Sequence, residues 1–271
     1  MLTKQSLVRL LAFFLIAGPF SILWASPRHV VVEALPEYAF YRPGSPLRVA
    51  FVFQIQEDWH TFWTNPGPVQ GAPASVEWKL PEGWRSEGLQ FPAPQRIPIG
   101  TSFSFGYTGE VVMLDTLVPP ETEESGEVTI QAKVIWQVAG PEKMTEETRC
   151  NLSFLRAGKS TVRPLRADRF RIWQGRIPRA NRNVRFKLEK RFLEKTYTLS
   201  FPGSKGGSRP ELFPDKQLGL DTTKPLRARF LGGTWKIEIP LEASNLPKRL
   251  EGVLDPGPTG VAPVWISLRV P

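Results

Sequence analysis

Between Val128 and Val138 the chain alternates almost without a break: Val128, Ile130, Ala132, Val134, Trp136 and Val138 are separated by Thr129, Gln131, Lys133, Ile135 and Gln137. Successive side chains on a strand point to opposite faces. A period of two held over this length therefore excludes a helix. It predicts a strand with one buried and one largely wet face, as in an antiparallel sandwich. Leu47, Val49, Phe51, Phe53 and Ile55 repeat the pattern over Leu47–Ile55, and Val76, Trp78 and Leu80 repeat it against Ser75, Glu77 and Lys79. His29–Leu35 reads as a further strand. The 27 Pro and 22 Gly lie between such runs and imply short strands joined by many turns.

The same reading continues in the second half. Strands are expected at Val184–Leu188 and Tyr197–Phe201, and Val264, Ile266, Leu268 and Val270 alternate towards the end. Phe230-Leu-Gly232-Gly233-Thr-Trp235 has the two-glycine centre of a tight hairpin leading into Trp235, Ile237, Ile239 and Leu241. Phe170, Trp173 and Ile177 are spaced three and four apart behind Asp168, which predicts one short helix stopped by Pro178. The acidic stretch Glu121–Glu127 reads as a solvated hairpin loop.

At the start, Lys4 and Arg9 precede the apolar run Leu10–Trp24, with a cleavage site at Leu23-Trp24-Ala25. This is the pattern of a secretory signal, and the 17 residues between Arg9 and Pro27 are short for a spanning helix of about 20. The expected organisation is a signal peptide at 1–25, a β-sandwich domain at 27–155, a basic linker with the short helix at 156–180, and a second β-sandwich at 181–271. The mature chain is expected to be soluble and periplasmic or otherwise exported.

Charge divides unevenly. Residues 27–155 carry nine Lys+Arg against 16 Asp+Glu, whereas 156–271 carry 24 against ten. Thirteen of those basic residues fall within Arg156–Arg191. Such a field is either a solvated face or a surface for anionic lipid or an acidic partner; no nucleic-acid recognition motif accompanies it. The single Cys150 cannot form an internal disulfide, and its place in Cys150-Asn-Leu152-Ser-Phe154 puts it on the inward face of a strand as a buried thiol. His29, His60 and Cys150 make a poor metal set, and no cofactor is expected. Gly203-Ser-Lys-Gly-Gly207 lacks the spacing of a phosphate loop, there is no Gly-x-Ser-x-Gly elbow, and Asn151-Leu-Ser153 is a glycosylation sequon by pattern alone.

The densest aromatic stretch is Asp58-Trp-His-Thr-Phe-Trp-Thr-Asn-Pro-Gly67, which reads as a core strand edge followed by a turn. Taken with Gly71-Ala-Pro73, Trp78-Lys-Leu80-Pro81-Glu-Gly83, Phe91-Pro92-Ala-Pro94-Gln-Arg96, Phe105-Gly106-Tyr107-Thr-Gly109 and Trp136-Gln-Val138, it resembles the N-terminal periplasmic domain of the thiol:disulfide interchange protein family, DsbD and its ScsB-like relatives. Glu211-Leu-Phe213-Pro214 and Leu250-Glu-Gly252-Val253-Leu254 resemble the second β domain of that family's longer members. The resemblance implies two immunoglobulin-like sandwiches and a protein-disulfide reductase activity carried by a cysteine pair, in proteins of thiol:disulfide interchange and cytochrome c maturation. In the family pattern the cysteines follow the tryptophan as Trp-Leu-Val-Cys-x-x-x-Cys-Ile-Pro. Here the segment reads Trp136-Gln-Val-Ala139-Gly-Pro-Glu-Lys143-Met144-Thr145, so Ala139 and Lys143 hold the two cysteine positions.

Dithiol exchange needs one thiolate to attack and a second thiol to resolve the mixed disulfide, and neither residue supplies sulfur. No catalytic residue is therefore expected, and the leading expectation is a non-catalytic binding or scaffolding module. Its binding surface, carried over from the resemblance, comprises Trp136, Ala139, Lys143 and Met144, with Phe103 and Tyr107 nearby, and an envelope protein is the expected partner. The alternatives are a soluble subunit working with a separate membrane reductase, since the family's membrane and thioredoxin-like parts are absent from the sequence, and a structural envelope protein.

Overall fold

The computed structural model describes residues 28–122, 126–158, 163–181, 183–191, 196–203, 209–215, 226–240, 248–256 and 262–271. The expected signal peptide at 1–25 and most of the Gly203–Gly207 turn lie outside these residues. The first half contributes β1 (Val30–Pro36), β2 (Phe40–Tyr41), β3 (Leu47–Ile55), β4 (His60–Phe62), β5 (Ser75–Lys79) and β6 (Arg85–Ser86). It continues with β7 (Gln95–Ile99), β8 (Ser102–Tyr107), β9 (Glu110–Val118), β10 (Glu127–Ala139) and β11 (Lys143–Arg156). A helix, α1 (Ala167–Arg176), follows. The second half contributes β12 (Arg179–Ala180), β13 (Lys187–Arg191), β14 (Thr196–Pro202) and β15 (Glu211–Pro214), then β16 (Arg227–Leu231), β17 (Thr234–Pro240), β18 (Arg249–Asp255) and β19 (Val264–Arg269). The chain is all-β, built of immunoglobulin-like sandwiches with one short helix among the described residues.

Four sheets result. In the first half, sheet A has the order β1-β3-β9-β6, and sheet B the order β2-β11-β10-β4-β8-β7 with β5 also on β10. In the second half, sheet C has the order β12-β19-β18-β15 and sheet D the order β13-β14-β17-β16. Pairing is antiparallel except at the short β2–β11 and β12–β19 contacts. The alternating run centred on Val128–Val138 is β10, whose inward residues Ile130, Ala132, Val134, Trp136 and Val138 are at most 1% exposed. Trp136 meets Phe53 of sheet A edge to face, with ring centroids 5.7 Å apart. A buried carboxylate also ties the two sheets together: Asp115 on β9 accepts from Trp78 Nε1 at 2.8 Å, from Ser86 Oγ and from the Thr116 N–H.

Three expectations need correction. The acidic stretch Glu121–Glu127, of which 123–125 lie outside the described residues, does not join a β9–β10 hairpin, because β9 pairs with β3 and β6 while β10 belongs to the opposite sheet. Residues 156–180 do not simply link two sandwiches. The apolar face of α1 (Phe170, Trp173, and Ile177 just beyond it) packs on Leu35, Ala50, Val52, Val112 and Leu114, the outer face of sheet A. Burying one such large side chain stabilises by about 1.5–3 kcal/mol, so the helix is fixed to the first sandwich. The Leu165 N–H donates to Glu37 O at 2.8 Å and Arg166 Nη1 to Pro36 O at 3.4 Å, fastening the approach to the helix. Finally, the strand expected at Val184–Leu188 forms its ladder three residues later, as β13; Val184 and Phe186 instead pack as apolar fillers on the second core.

In sheet C, alternate residues serve two cores. Leu212, Leu254, Val264 and Ile266 point into the second sandwich. Phe213, Val253 and Trp265 are matched in register across three strands, point the other way, and join the core of the first half.

Candidate functional site

The ends of β10 and β11 bring the two positions of interest face to face: Ala139 is the cross-strand partner of Lys143. Gly140, Pro141 and Glu142 close the hairpin, with the Gly140 N–H donating to Glu142 O at 2.9 Å. Gly140 lies directly on Trp59; a Cβ there would stand 2.7 Å from Trp59 Cδ2 and 3.0 Å from Asp58 O, so a larger residue would displace the ring. Trp59 is held by the His29 imidazole stacked on it, with centroids 3.6 Å apart. The turn before it needs a positive φ, taken by Asp58 (φ 66°), one of the few residues besides glycine that enter that region readily.

On the other side of β10, β4 places His60 opposite Ala139. His60 is 7% exposed, meets Phe62 edge to face at 5.1 Å, and its buried Nε2 has no partner. Burial lowers its pKa, an effect that a hydrogen bond with the Ala139 backbone opposes only in part. Lys143 Nζ reaches Gln70 O at 3.4 Å and Gln137 Oε1 accepts from the Ala72 N–H at 2.9 Å, so the segment around residue 71 is strapped to the hairpin. A cleft of about 650 Å³ opens beside it, lined by Trp59, His60 and Gly140 on one wall and by Ile97, Pro98 and Ile99 of the edge strand β7 on the other.

Of the residues expected to form the binding surface, Lys143 is exposed, and Ala139 and Met144 are half-buried. Trp136, Phe103 and Tyr107 are corrections: all three are core residues. Period two puts Trp136 on the face opposite Ala139, where it is 1% exposed. Phe103 lies beneath the Arg96 guanidinium, 4.0 Å from its ring centroid, and touches Phe105. Tyr107 is enclosed, its hydroxyl donating to Pro92 O at 2.8 Å, and burial pushes its pKa well up. The segments themselves are neighbours, since Thr61 pairs with both Val138 and Tyr107.

Cys150 is half-buried opposite Ala132 and packs against the edge of the core. Burial raises its pKa, with the Ala34 backbone compensating only in part. It lies seven residues along the strand from Lys143, roughly 23 Å at about 3.3 Å per residue. No group of three or more His, Cys, Asp and Glu that could hold a metal occurs among the described residues. No helix among them is long and apolar enough to cross a membrane.

The second half of the aromatic stretch has a role that the sequence reading missed. Asn65 Nδ2 donates to Pro214 O at 2.8 Å in a buried contact, while its Oδ1 accepts from the Gly67 N–H at 3.0 Å. Pro66 O accepts from the Phe105 N–H at 2.9 Å. Phe213 stands edge to face against both Phe105, at 5.2 Å, and Trp63, at 6.4 Å. Arg96, already stacked on Phe103, forms an ion pair with Glu211 at 2.5 Å. Thus Trp63–Gly67 and Glu211–Pro214, about 150 residues apart by numbering, meet in one seam between the sandwiches. The available signal was an Asn in a turn beside two tryptophans, with a Phe-Pro element elsewhere needing a partner.

Comparison with known proteins agrees with this architecture. The model of the family described as "Thiol:disulfide interchange protein DsbD, N-terminal" matches residues 30–138. Among solved structures, the N-terminal periplasmic domain of ScsB from Proteus mirabilis superposes with a TM-score of 0.64 at 14% identity, covering 91% of this chain and 96% of that one. The E. coli chaperone DraB, at 11% identity over 90% of this chain and 100% of that chain, reaches a TM-score of only 0.26, too low to bear on the fold. No curated protein matches the sequence. Residues 30–138 form a DsbD N-terminal-like domain.

Proposed function

We propose that this chain is an exported, periplasmic, non-catalytic binding module derived from the disulfide-reductase architecture, and that it engages an envelope protein at the mouth of the β10–β11 hairpin. The observation that carries the reading is the cross-strand pair Ala139–Lys143, which stands where the family pattern has its two cysteines. A methyl group and an ammonium facing each other can neither form a mixed disulfide nor resolve one. Cys150 offers no substitute: its thiol is half-buried with a raised pKa, the opposite of the exposed, low-pKa environment that makes cysteines reactive. What the mouth offers is recognition chemistry, namely one exposed ammonium, the half-buried thioether of Met144 and a cleft whose wall is the edge of β7.

Two measurements test this together. Alkylation of the folded protein followed by intact mass should find Cys150 reacting slowly, and insulin reduction should stay at the uncatalysed rate; rapid reaction with mixed disulfides to envelope proteins would overturn the non-redox reading. Partner capture from a periplasmic extract should be lost on combining Lys143→Glu with Met144→Asp. Retention of every partner by that variant would remove the hairpin mouth as the binding surface.

A further inference from the structure

The outer face of sheet D is the part of the molecule whose chemistry the hairpin mouth does not use. In the second sandwich, Tyr197, Leu199, Ile237 and Ile239 point inward, so their strand neighbours point outward. The register places those outward residues in rows. One row runs Lys187, Ser200, Lys236, Arg229 across all four strands. The next runs Glu189, Thr198, Glu238, Arg227. With Arg191 at the end of β13, five cations share the face with two carboxylates among the described residues, a net of +3. Both carboxylates are already engaged by this field: Lys187 bonds Glu189 at 2.7 Å, and Arg229 lies 3.8 Å from Glu238. The hydrogen bond from Lys187, reinforced by the charges of Arg191 and Lys236, holds the Glu189 carboxyl below its usual range.

A second, independent feature lies at the rim. The β16–β17 hairpin turns on Gly232 and Gly233 (φ 56° and 75°), the tight form that two-residue hairpins require. Immediately before it, Leu231 points to the same side as Arg227 and Arg229 and is 68% exposed, the highest exposure of any large apolar residue described. A leucine held out on a glycine tip beside a row of cations is the combination that suits a charged interface with an apolar interior behind it. Sheet C, the other layer of this sandwich, turns Phe213, Val253 and Trp265 towards the first half, which leaves sheet D on the far side.

We propose that the outer face of sheet D docks on an anionic lipid surface, its cations on the headgroups and Leu231 entering between them. The partner is a membrane rather than an acidic protein because the apolar element of this face projects from its rim beside the cations, where it can enter a soft interface.

The test is co-sedimentation of the full chain with vesicles of phosphatidylcholine alone and of equal parts phosphatidylcholine and phosphatidylglycerol. Binding is expected only to the anionic vesicles and should fall steeply as salt shortens the screening length. Arg227→Glu with Arg229→Glu should weaken it by about fivefold or more for each residue. In a Cys150→Ala background, an environment-sensitive dye on Leu231→Cys should shift to the blue on anionic vesicles. Lys143→Glu should leave vesicle binding unchanged, which separates this surface from the hairpin mouth. Equal binding to both vesicle types, no binding, or insensitivity to the charge reversals would overturn the proposal. So would charge-dependent binding with no dye shift, or capture by an acidic protein without vesicle binding.

Discussion

The hairpin mouth and the seam between the sandwiches differ in how much of the structure depends on each side chain. At the mouth, Ala139 and Lys143 face each other across the β10–β11 ladder, Lys143 exposed and Ala139 half-buried. At the seam, Trp63, Asn65 and Gly67 on one side and Phe213 and Pro214 on the other interlock through a buried hydrogen bond and paired aromatic contacts. The side chains of the mouth reach solvent, and few neighbours depend on their shape. In the seam, each group fills space or satisfies a polar atom that the other half exposes. The second half of the aromatic stretch, Trp63–Gly67, is architecture that joins the two halves.

Five variants can break or sharpen this contrast. The largest effect is expected from Phe213→Ala, which empties a site 2% exposed between two cores. Chemical denaturation should show a loss of about 3–5 kcal/mol, affecting both halves together; a loss confined to the second sandwich would mean that the seam is incidental. Asn65→Ala leaves Pro214 O without its buried donor, and the same assay should show a loss of about 1–3 kcal/mol. The third is a pH effect at the border between the two regions. Since burial lowers the pKa of His60, the unfolded chain takes up the proton first as pH falls through about 6.5. Stability should therefore be full above that value and decline below it. His60→Gln should flatten the thermal-denaturation profile over that window, and an unchanged slope would place the proton elsewhere. The smallest effect belongs to the mouth: Lys143→Ala should shift stability by no more than about 0.5 kcal/mol. Ala139→Cys combined with Lys143→Cys should oxidise to an internal disulfide visible by intact mass. Failure of that pair to close would show that the hairpin does not hold the two positions at the spacing a disulfide needs.

How far the sequence could be read follows from the range of each signal. Period two is local, so Leu47–Ile55 and the long strand around Val134 were legible almost to the residue, as was the Gly232–Gly233 turn. Burial of a strand's second face is not local. Ala50 and Val52 are covered by a helix more than a hundred residues later, and Phe213, Val253 and Trp265 are covered by the other half of the molecule. Nothing in those windows announces the cover, though the near-continuous apolar run of β3 is its trace. Assigning Trp136 to a binding surface went against a rule already in hand, since the alternation that identified the strand sends Trp136 inward and Ala139 outward. Phe103 and Tyr107 failed differently: an aromatic on a short strand gives no sign of which neighbour encloses it, here Arg96 and Pro92.

The double-sided burial of sheet C decides how the molecule can be dissected. Cutting the gene near residue 180 would strip the cover from Phe213, Val253 and Trp265 and leave three large apolar groups in a line facing water. Such a fragment would be prone to stick to itself, and the amino-terminal piece would lose the carbonyl that Asn65 binds. Pull-downs, vesicle assays and genetic truncations on either piece alone would then report the exposed scar, so the useful unit of experiment is the whole polypeptide carrying point changes.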